Sequence, residues 1–235
     1  MSSPGNATLP QAVEKQFFDR PFLTVASELI GTTLLWQGCG GRIVEVEAYG
    51  IEGDAACHTA TRKSSRLFCQ ENPPGTAYVY LNYGIHWMLN VLAGDGILLI
   101  RALEPQHGIP VMQERRRQQS LRALCSGPGK LGQALGLTGA DHGHDLTKNF
   151  FYAGSTAGVV TGRRIGISKA VDLPWRFLEK ESPWISVPLP QQASLTSYPG
   201  SGAAVSYKAA ALASAPASST NANCSSLGLP SQSAP

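Results

Sequence analysis

The chain is poor in charge and lacks the apolar segments of membrane and secreted proteins. Charged residues make up 15% of its 235 residues, and 19 Lys and Arg stand against 16 Asp and Glu. That excess is too small to indicate a polyanionic partner, because such binding depends on local clusters of charge. No apolar run approaches the roughly 20 residues that span a bilayer, and the N-terminus has no apolar segment typical of a signal peptide. We therefore expect a soluble intracellular protein.

Disulfide patterns and the common catalytic motifs are also missing. The five cysteines include no Cys-x-x-Cys pair, and a chain of this length can bury a core without disulfides. We therefore expect reduced thiols. The sequence has no P-loop, dinucleotide fingerprint, Gly-x-Ser-x-Gly elbow or His-Glu-x-x-His helix, so none of these signatures assigns a reaction.

Composition divides the chain into one folded segment and two polar ends. We expect a flexible leader at residues 1–11, a single domain at residues 12–188 and a disordered tail at residues 189–235. The tail consists mainly of Ala, Ser, Pro, Gln and Gly. Such a composition buries too little apolar surface to offset the entropy that is lost on ordering.

Local patterns in the middle segment predict both helices and strands. Apolar residues at helical spacing predict a helix over residues 21–31, and we expect further helices over 109–124 and 130–135. Runs rich in β-branched and aromatic residues predict strands over residues 42–49, 76–83, 85–92, 97–103 and 163–168. Residues 51–74 form a long polar connection, a feature that is usually functional or disordered.

Charged residues interrupt two of the predicted strands. Strand periodicity places Glu47 on one face with Glu45 and Tyr49, opposite an apolar face. A carboxylate that aromatic rings partly enclose keeps enough basicity to activate water. The alternatives are a sheet-surface glutamate at position 47, or Glu45 as the functional acid. Arg101 needs an anion, either a structural partner at Glu45 or Glu104 or a catalytic partner at Glu47.

Aromatic residues cluster around a predicted hairpin. Tyr78, Tyr80 and Tyr83 lie within six residues of one another, and neighbouring Asn and Gly favour a tight turn with Tyr83 at its tip. Some of these rings are expected to belong to the core. Tyr80 with Tyr49 and His58 also predicts a flat-walled slot for a base, since stacking suits any aromatic face. A tyrosine at a hairpin tip is able to wedge into a duplex.

Three other groups of residues have functional and structural interpretations. The run DHGHD at 141–145 resembles a metal site, but it crowds into one polar loop, whereas metal ligands normally come from separated segments. Adjacent Cys57 and His58 point in opposite directions on an extended segment, which argues against a nucleophile–base pair. Basic clusters at 62–66, 115–122 and 163–164 fit a nucleic-acid interface or solvated faces equally well. We expect no metal and no cofactor.

Taken together, these residues resemble the alkyladenine (3-methyladenine) DNA glycosylase family from about residue 17 to residue 187. The matching segments are GRIVEVEAY (41–49), DAACH (54–58), PGTAYVYLNYG (74–84), the segment around Asn90, GDG (94–96), LIRALEP (99–105), CSGPGKL (125–131) and RIGIS with AVDLPWRF (164–168 and 170–177). With the elements above, we expect a single α+β domain with a curved, mostly antiparallel β-sheet, a protruding β-hairpin and flanking helices.

The resemblance implies a catalytic pair. Glu47 would be the general base that activates the attacking water, and Arg101 would help to hold that water near the 3′ phosphate. No lysine falls within the segments that carry the implied catalytic and base-pocket residues, which predicts hydrolysis by water without a Schiff base.

The resemblance also implies residues that bind the substrate. Tyr49, His58 and Tyr80 would form the walls of the base pocket. Tyr83 would intercalate and fill the gap that the displaced nucleotide leaves in the duplex. Asn90, at the floor of the pocket, would collide with the exocyclic amine of normal guanine.

The function thus implied is a monofunctional DNA glycosylase of base excision repair. It would flip and hydrolytically excise alkylated or deaminated purines of the 3-methyladenine, 7-methylguanine, hypoxanthine and ethenoadenine class. The expected partner is double-stranded DNA with a damaged purine, bound by a monomer without membrane contact, in the cytoplasm at the nucleoid or in the nucleus of a eukaryotic host. The alternative is a non-enzymatic module that binds damaged DNA or RNA, such as an RNA-binding appendage of a formyltransferase.

Overall fold

The computed structural model describes residues 11–152 and 158–189 of the chain. The described residues all belong to one compact unit. Residues 1–10 of the predicted leader and 190–235 of the predicted tail lie outside the described residues, so their predicted disorder stays a prediction.

An eight-stranded sheet forms the centre of the fold, and each of its strand pairs is antiparallel. The strands are β1 (Thr33–Trp36), β2 (Cys39–Gly50), β3 (Ala77–Asn82), β4 (His86–Ala93), β5 (Gly96–His107), β6 (Phe150–Phe151), β7 (Val159–Gly162) and β8 (Arg176–Glu179). Their order is β3-β4-β5-β2-β1-β6, while β8 pairs with β2 and β7 pairs with β8. The α+β class and the antiparallel sheet are therefore confirmed.

The long strand β2 joins the two parts of the sheet. One edge of β2 pairs with β5 along most of its length. Its other edge pairs first with β1, through residues 39–42, and then with β8, through residues 45–47. Register shifts against β5 on both sides of Glu45 are bulge-type irregularities, which bend a strand and increase its twist.

The described residues contain six α-helices: α1 (Phe22–Leu29), α2 (His58–Thr61), α3 (Lys63–Glu71), α4 (Ile109–Arg116), α5 (Leu121–Leu124) and α6 (Pro128–Leu135). Four of the six helices, α1, α4, α5 and α6, contribute residues to the main apolar cluster on one face of the sheet, while α2 and α3 lie outside that cluster. From the sheet, this cluster contains Val46 and Ala48 of β2 and Leu98 and Ile100 of β5. Helix α6 approaches β4 so closely that a Cβ at Gly132 would collide with the main-chain oxygen of Trp87.

Four of the predicted strands and the hairpin are confirmed. Of the two alternatives given for residues 51–74, disorder is wrong, because this connection contains α2 and α3. Most α3 side chains face water, and Ser65 alone among its residues is fully buried. The apolar residues Leu67, Phe68 and Cys69 are consecutive rather than at helical spacing, so a search for helical periodicity does not find this helix. Phe68 anchors α3, because its ring stacks on His142 at 4.0 Å and packs on Tyr78 at 5.4 Å.

Two further predictions of secondary structure are wrong. The helix expected over 109–124 is divided into α4 and α5, because Arg117 adopts a left-handed conformation with φ of 48°. Residues 163–168 are not a strand; the strand in this region is β7, which ends at Gly162 and pairs with β8. Strands β1, β6, β7 and β8 were not predicted, since each has only two to four residues.

The helices in the described part of the chain are short. The longest, α3, has nine residues, and none of them has the length and apolar character that a membrane-spanning helix requires.

Candidate active site

A cavity of about 520 Å³ opens on the polar face of the sheet. Side chains of β3, β4 and β5 form its floor, and α2 and residues 165–169 contribute to its sides. Of the residues predicted to form the site, five line this cavity: Tyr49, His58, Tyr80, Tyr83 and Arg101.

Strand register explains why residues far apart in sequence meet here. Tyr78 pairs with Asn90, Asn90 with Leu99, and Leu99 with Glu47, so the four form one row across β3, β4, β5 and β2. Residues in register project from the same face of a sheet. The row therefore places Glu47 on the cavity side, as strand periodicity predicted.

Glu47 lies beneath the cavity lining and has no exposed surface. Its Oε2 accepts hydrogen bonds from the Tyr49 hydroxyl at 2.8 Å and from Arg101 Nη1 at 3.0 Å, and its Oε1 accepts one from the Ile165 main-chain N–H at 2.7 Å. A carboxylate oxygen accepts two hydrogen bonds. Within the described residues Oε1 has this one donor, so Glu47 retains capacity to accept a hydrogen bond from water.

Glu45 has a different environment, although it shares a strand face with Glu47. Its oxygens accept hydrogen bonds from Arg101 Nε and Arg176 Nε, both at 2.8 Å, and from the main-chain N–H and hydroxyl of Ser186 at 2.5 and 2.7 Å. Burial raises the pKa of Glu45, but the two guanidinium groups and Ser186 together bring that pKa below its ordinary value. Such a saturated carboxylate is a weak base, so the geometry favours Glu47 over Glu45 as the acceptor of a proton.

Arg101 connects both carboxylates to the cavity. It is almost fully buried, yet it contributes to the cavity lining. Of the partners considered from the sequence, it binds Glu45 and Glu47. Glu104 pairs instead with Arg42.

Aromatic rings form much of the cavity wall. His58 and Tyr80 meet edge to face, with ring centroids 4.5 Å apart, and His58 Nδ1 lies 3.0 Å from the Tyr78 hydroxyl. Burial, followed by the positive charge of Arg62, lowers the pKa of His58 to about 4. Burial is also the main cause that raises the pKa of Tyr80 to about 12. Both side chains are therefore neutral at pH 7.

A buried arginine supports the ring of Tyr49 from behind. The Arg164 guanidinium lies 4.7 Å from the Tyr49 ring centroid and 5.2 Å from that of Trp175. It also binds both carboxylate oxygens of Asp54, at 2.5 and 2.9 Å. Burial, followed by the charge of Glu47, raises the pKa of Tyr49, so its hydroxyl is a hydrogen-bond donor.

Tyr83 stands at the end of the β3–β4 hairpin. It is 84% exposed and has a positive φ of 51°. A tight turn with Gly84 beside it accounts for this conformation. The ring lies at the mouth of the cavity, where it contributes to the lining.

Asn90 lies on the cavity face, but it is not among the residues that line the cavity. It is 3% exposed, and its Nδ2 donates to the main-chain oxygen of Tyr78 at 2.8 Å. Its lateral neighbours in the row, Tyr78 and Leu99, do line the cavity. Asn90 therefore sits behind the floor in this structure, and its predicted contact with a base stays a prediction.

Several residues at the site were missed by sequence reasoning. Ile165 donates its main-chain N–H to Glu47, and Ser186 binds Glu45. Lys169 also lines the cavity; it lies between two matching segments and in neither of them, so hydrolysis without a Schiff base stays a prediction. The sequence motif ends at Ser168, and the chain then turns with a positive φ at Ala170, which local patterns do not reveal.

The remaining candidates have structural partners. His142 accepts a hydrogen bond from the Val79 main-chain N–H at 3.0 Å and stacks on Phe68. Within the described residues, no group of three or more His, Cys, Asp or Glu side chains is arranged to hold a metal ion. Cys57 is buried, and burial is the main cause that raises the pKa of its thiol, so it is a poor nucleophile.

The basic clusters also have mixed roles. Arg62 lines the cavity. Arg115 donates to the main-chain oxygen of Ala134, and Arg164 is buried against Asp54. The clusters at 115–122 and 163–164 are thus partly structural.

Comparison with known proteins identifies the family. Residues 16–183 match the family described as methylpurine-DNA glycosylase (MPG). A protein of Rhodopseudomonas palustris strain HaA2, named "Putative 3-methyladenine DNA glycosylase", is 47% identical over 195 residues, which cover 80% of this chain and 96% of the relative. A protein of the same name from R. palustris strain ATCC BAA-98 / CGA009 is 50% identical over 182 residues, which cover 74% of this chain and 88% of the relative. Another from Bradyrhizobium diazoefficiens is 46% identical over 190 residues, which cover 78% of this chain and 94% of the relative. The chain therefore belongs to the methylpurine-DNA glycosylase family and is a DNA glycosylase, a hydrolase of N-glycosyl bonds.

Proposed function

We propose that the protein is a monofunctional DNA glycosylase that flips a damaged purine into the cavity and releases it with water activated by Glu47. The observation that carries this proposal is the buried Glu47 carboxylate, which meets Arg101 and Tyr49 directly beneath an aromatic cavity. Family membership supports an enzyme over a non-enzymatic DNA- or RNA-binding module.

A base inside a stacked duplex is out of reach, so the nucleotide has to rotate into the cavity. Rotation costs a few kcal/mol, and less for a damaged or mispaired base. We propose that Tyr49, His58 and Tyr80 stack against the flipped base, and that Tyr83 fills the space left in the duplex. Base–aromatic stacking typically contributes about 1–3 kcal/mol per base, which is enough to offset much of the rotation cost.

The chemical step breaks the bond between C1′ and the purine nitrogen. As that bond lengthens, positive charge develops on the sugar, and an ionised Glu47 beside it stabilises that charge. The water oxygen bonds to C1′ and its proton passes to Glu47, while the electron pair of the broken bond leaves with the purine. An alkylated purine already carries positive charge and departs without acid assistance, whereas hypoxanthine and ethenoadenine need a hydrogen bond or proton on the base.

The relatives' names, which mention 3-methyladenine, and the neutral aromatic wall support a damaged purine as the substrate. We propose 3-methyladenine, 7-methylguanine, hypoxanthine and ethenoadenine in double-stranded DNA as the substrates, with Asn90 opposing the exocyclic amine of guanine. We also propose that the enzyme acts as a monomer. Its substrate DNA places it at the nucleoid in a bacterial host, such as the bacteria from which the relatives come.

Release of free base from defined duplexes tests the proposal. Purified protein is incubated with duplexes that contain one hypoxanthine or ethenoadenine, and with DNA methylated to give 3-methyladenine and 7-methylguanine. Free base and alkali-labile sites are expected from the damaged DNA, and neither from an undamaged duplex. Binding without base release would overturn the proposal.

Borohydride trapping tests the monofunctional part, because Lys169 lines the cavity. Hydrolysis by water leaves an intact strand until alkali is added and gives no trapped complex. A borohydride-trapped protein–DNA complex that disappears in Lys169→Gln would overturn this part and assign a Schiff base to Lys169.

A further inference from the structure

The segment at residues 182–187, called here the closing segment, follows β8 and lies against the buried charges behind the cavity. It is fixed at three points. Arg122 donates to the main-chain oxygen of Ile185 at 2.9 Å, Ser186 binds Glu45, and Arg176 donates to the main-chain oxygen of Val187. Ser186 is the central point, and it lies three positions beyond the part of the chain that matches the family.

Ser186 contacts the Glu45 carboxylate and the Arg101 guanidinium, the two charged groups that link it to Glu47. Its main-chain N–H and its hydroxyl donate to the two oxygens of Glu45, at 2.5 and 2.7 Å. Its hydroxyl oxygen in turn accepts a longer hydrogen bond from Arg101 Nη2, at 3.4 Å. One hydroxyl group thus joins the carboxylate and the guanidinium.

These contacts define the orientation of Arg101. Its three nitrogens have separate partners: Nε binds Glu45, Nη2 binds Ser186, and Nη1 binds Glu47. A guanidinium is planar, so partners at two nitrogens fix the direction of the third N–H group. Glu45 and Ser186 therefore direct Nη1 at Glu47.

We propose that Ser186 is a positioning residue for excision: it holds the Glu45 carboxylate and the Arg101 guanidinium so that Arg101 faces Glu47. The inference rests on the proposed roles of Glu47 and Arg101. Ser186 touches neither the DNA nor the reacting atoms in this account, so its effect belongs to the chemical step and not to affinity for damaged DNA.

The closing segment provides a matched control. Ser182 is buried, whereas Ser186 is half-buried, and the Ser182 Oγ accepts a hydrogen bond from the Trp184 main-chain N–H at 3.4 Å. That contact is local to the segment. Ser182→Ala therefore removes a buried hydroxyl of the same segment without touching the charge network.

The test compares full-length Ser186→Ala, Ser186→Thr and Ser182→Ala. For each, the single-turnover rate of base release, the affinity for a duplex with a stable abasic analogue, and the melting temperature are measured. Ser186→Ala is expected to lower the rate by roughly 10- to 100-fold, since small misplacements near a reacting centre have effects of this size. The affinity and melting temperature of Ser186→Ala are expected to stay near those of wild type. Ser186→Thr is expected to recover most of the rate, and Ser182→Ala is expected to keep the wild-type rate.

Different results would overturn this inference and the proposed function. A wild-type rate in Ser186→Ala, an equal loss in Ser182→Ala, or a loss explained by fewer folded molecules would overturn the positioning role. Undiminished base release by Glu47→Gln would instead overturn the assignment of Glu47 as the general base, on which this inference rests. Inactive Glu47→Gln beside fully active Ser186→Ala removes the positioning role alone.

Discussion

Tyr49 and Glu47 are joined by a hydrogen bond of 2.8 Å from the tyrosine hydroxyl to Oε2 of the glutamate. The two residues are two positions apart on β2, so both project from the cavity face of the sheet. A residue of the proposed base-stacking wall thus also orients the proposed general base. This link couples the position of the bound purine to that of the carboxylate.

Replacing the Tyr49 hydroxyl separates these two contributions. Tyr49→Phe keeps the ring and removes one donor from Glu47, so we expect single-turnover excision to fall by about 10-fold, as for loss of a hydrogen bond to a charged group, at unchanged affinity for damaged DNA. Tyr49→Ala also removes the ring and is expected to weaken binding, because stacking is lost. Equal rates for Tyr49→Phe and wild type would contradict the orienting role.

The exposed ring of Tyr83 is expected to matter for DNA and not for folding. Tyr83→Ser should weaken binding of a hypoxanthine-containing duplex by about 10-fold, in line with the usual free energy of stacking, and should slow flipping as followed by the fluorescence of a flipped base. Tyr152, a partly exposed aromatic residue outside the cavity lining, provides the control as Tyr152→Ser. Unchanged affinity and single-turnover rate in Tyr83→Ser would exclude the wedge.

The Asp54–Arg164 pair is expected to stabilise the fold behind Tyr49. Both side chains are fully buried, so Asp54→Ala leaves an unpaired buried guanidinium and should lower the free energy of unfolding by about 3–5 kcal/mol. The neighbouring pair of Arg163 and Asp172 is mostly exposed. Asp172→Ala is therefore expected to leave stability nearly unchanged. Urea denaturation measures both, and similar losses for the two variants would contradict this account.

His58 is expected to stay neutral throughout the physiological range. Burial and then Arg62 lower its pKa from the ordinary 6.5 to about 4. Since the unfolded chain binds this proton at higher pH than the folded chain does, the contribution to stability is present above pH 6.5 and is lost as the pH falls towards about 4. The melting temperature of wild type should therefore decrease more steeply between these pH values than that of His58→Asn. Parallel curves of melting temperature against pH for the two proteins would contradict the lowered pKa of His58.

Much of the site could be predicted from local sequence patterns. Alternation along β2 places Glu47 and Tyr49 on one face, and the Asn-Tyr-Gly turn places Tyr83 at a hairpin tip. The motifs that resemble a glycosylase family then suggest roles for these residues. Each of these inferences uses residues that are neighbours in the chain, for which period and turn chemistry are sufficient.

The rest of the site depends on contacts between distant segments. Ile165 and Glu47 are 118 positions apart, and Ser186 and Glu45 are 141 positions apart. No local pattern encodes such pairs. Helix α3 was missed for another reason: its apolar residues are consecutive rather than at helical spacing, and Phe68 holds it against His142 and Tyr78.

Single-turnover base release by Glu47→Gln, measured with saturating enzyme on a hypoxanthine-containing duplex, tests the central claim most directly. Glu52→Gln, which changes an exposed carboxylate five positions along the chain, is the matched control. We expect no detectable free hypoxanthine from Glu47→Gln, retained binding of the damaged duplex, and full activity of Glu52→Gln. Release of hypoxanthine by Glu47→Gln at the wild-type rate would contradict the account.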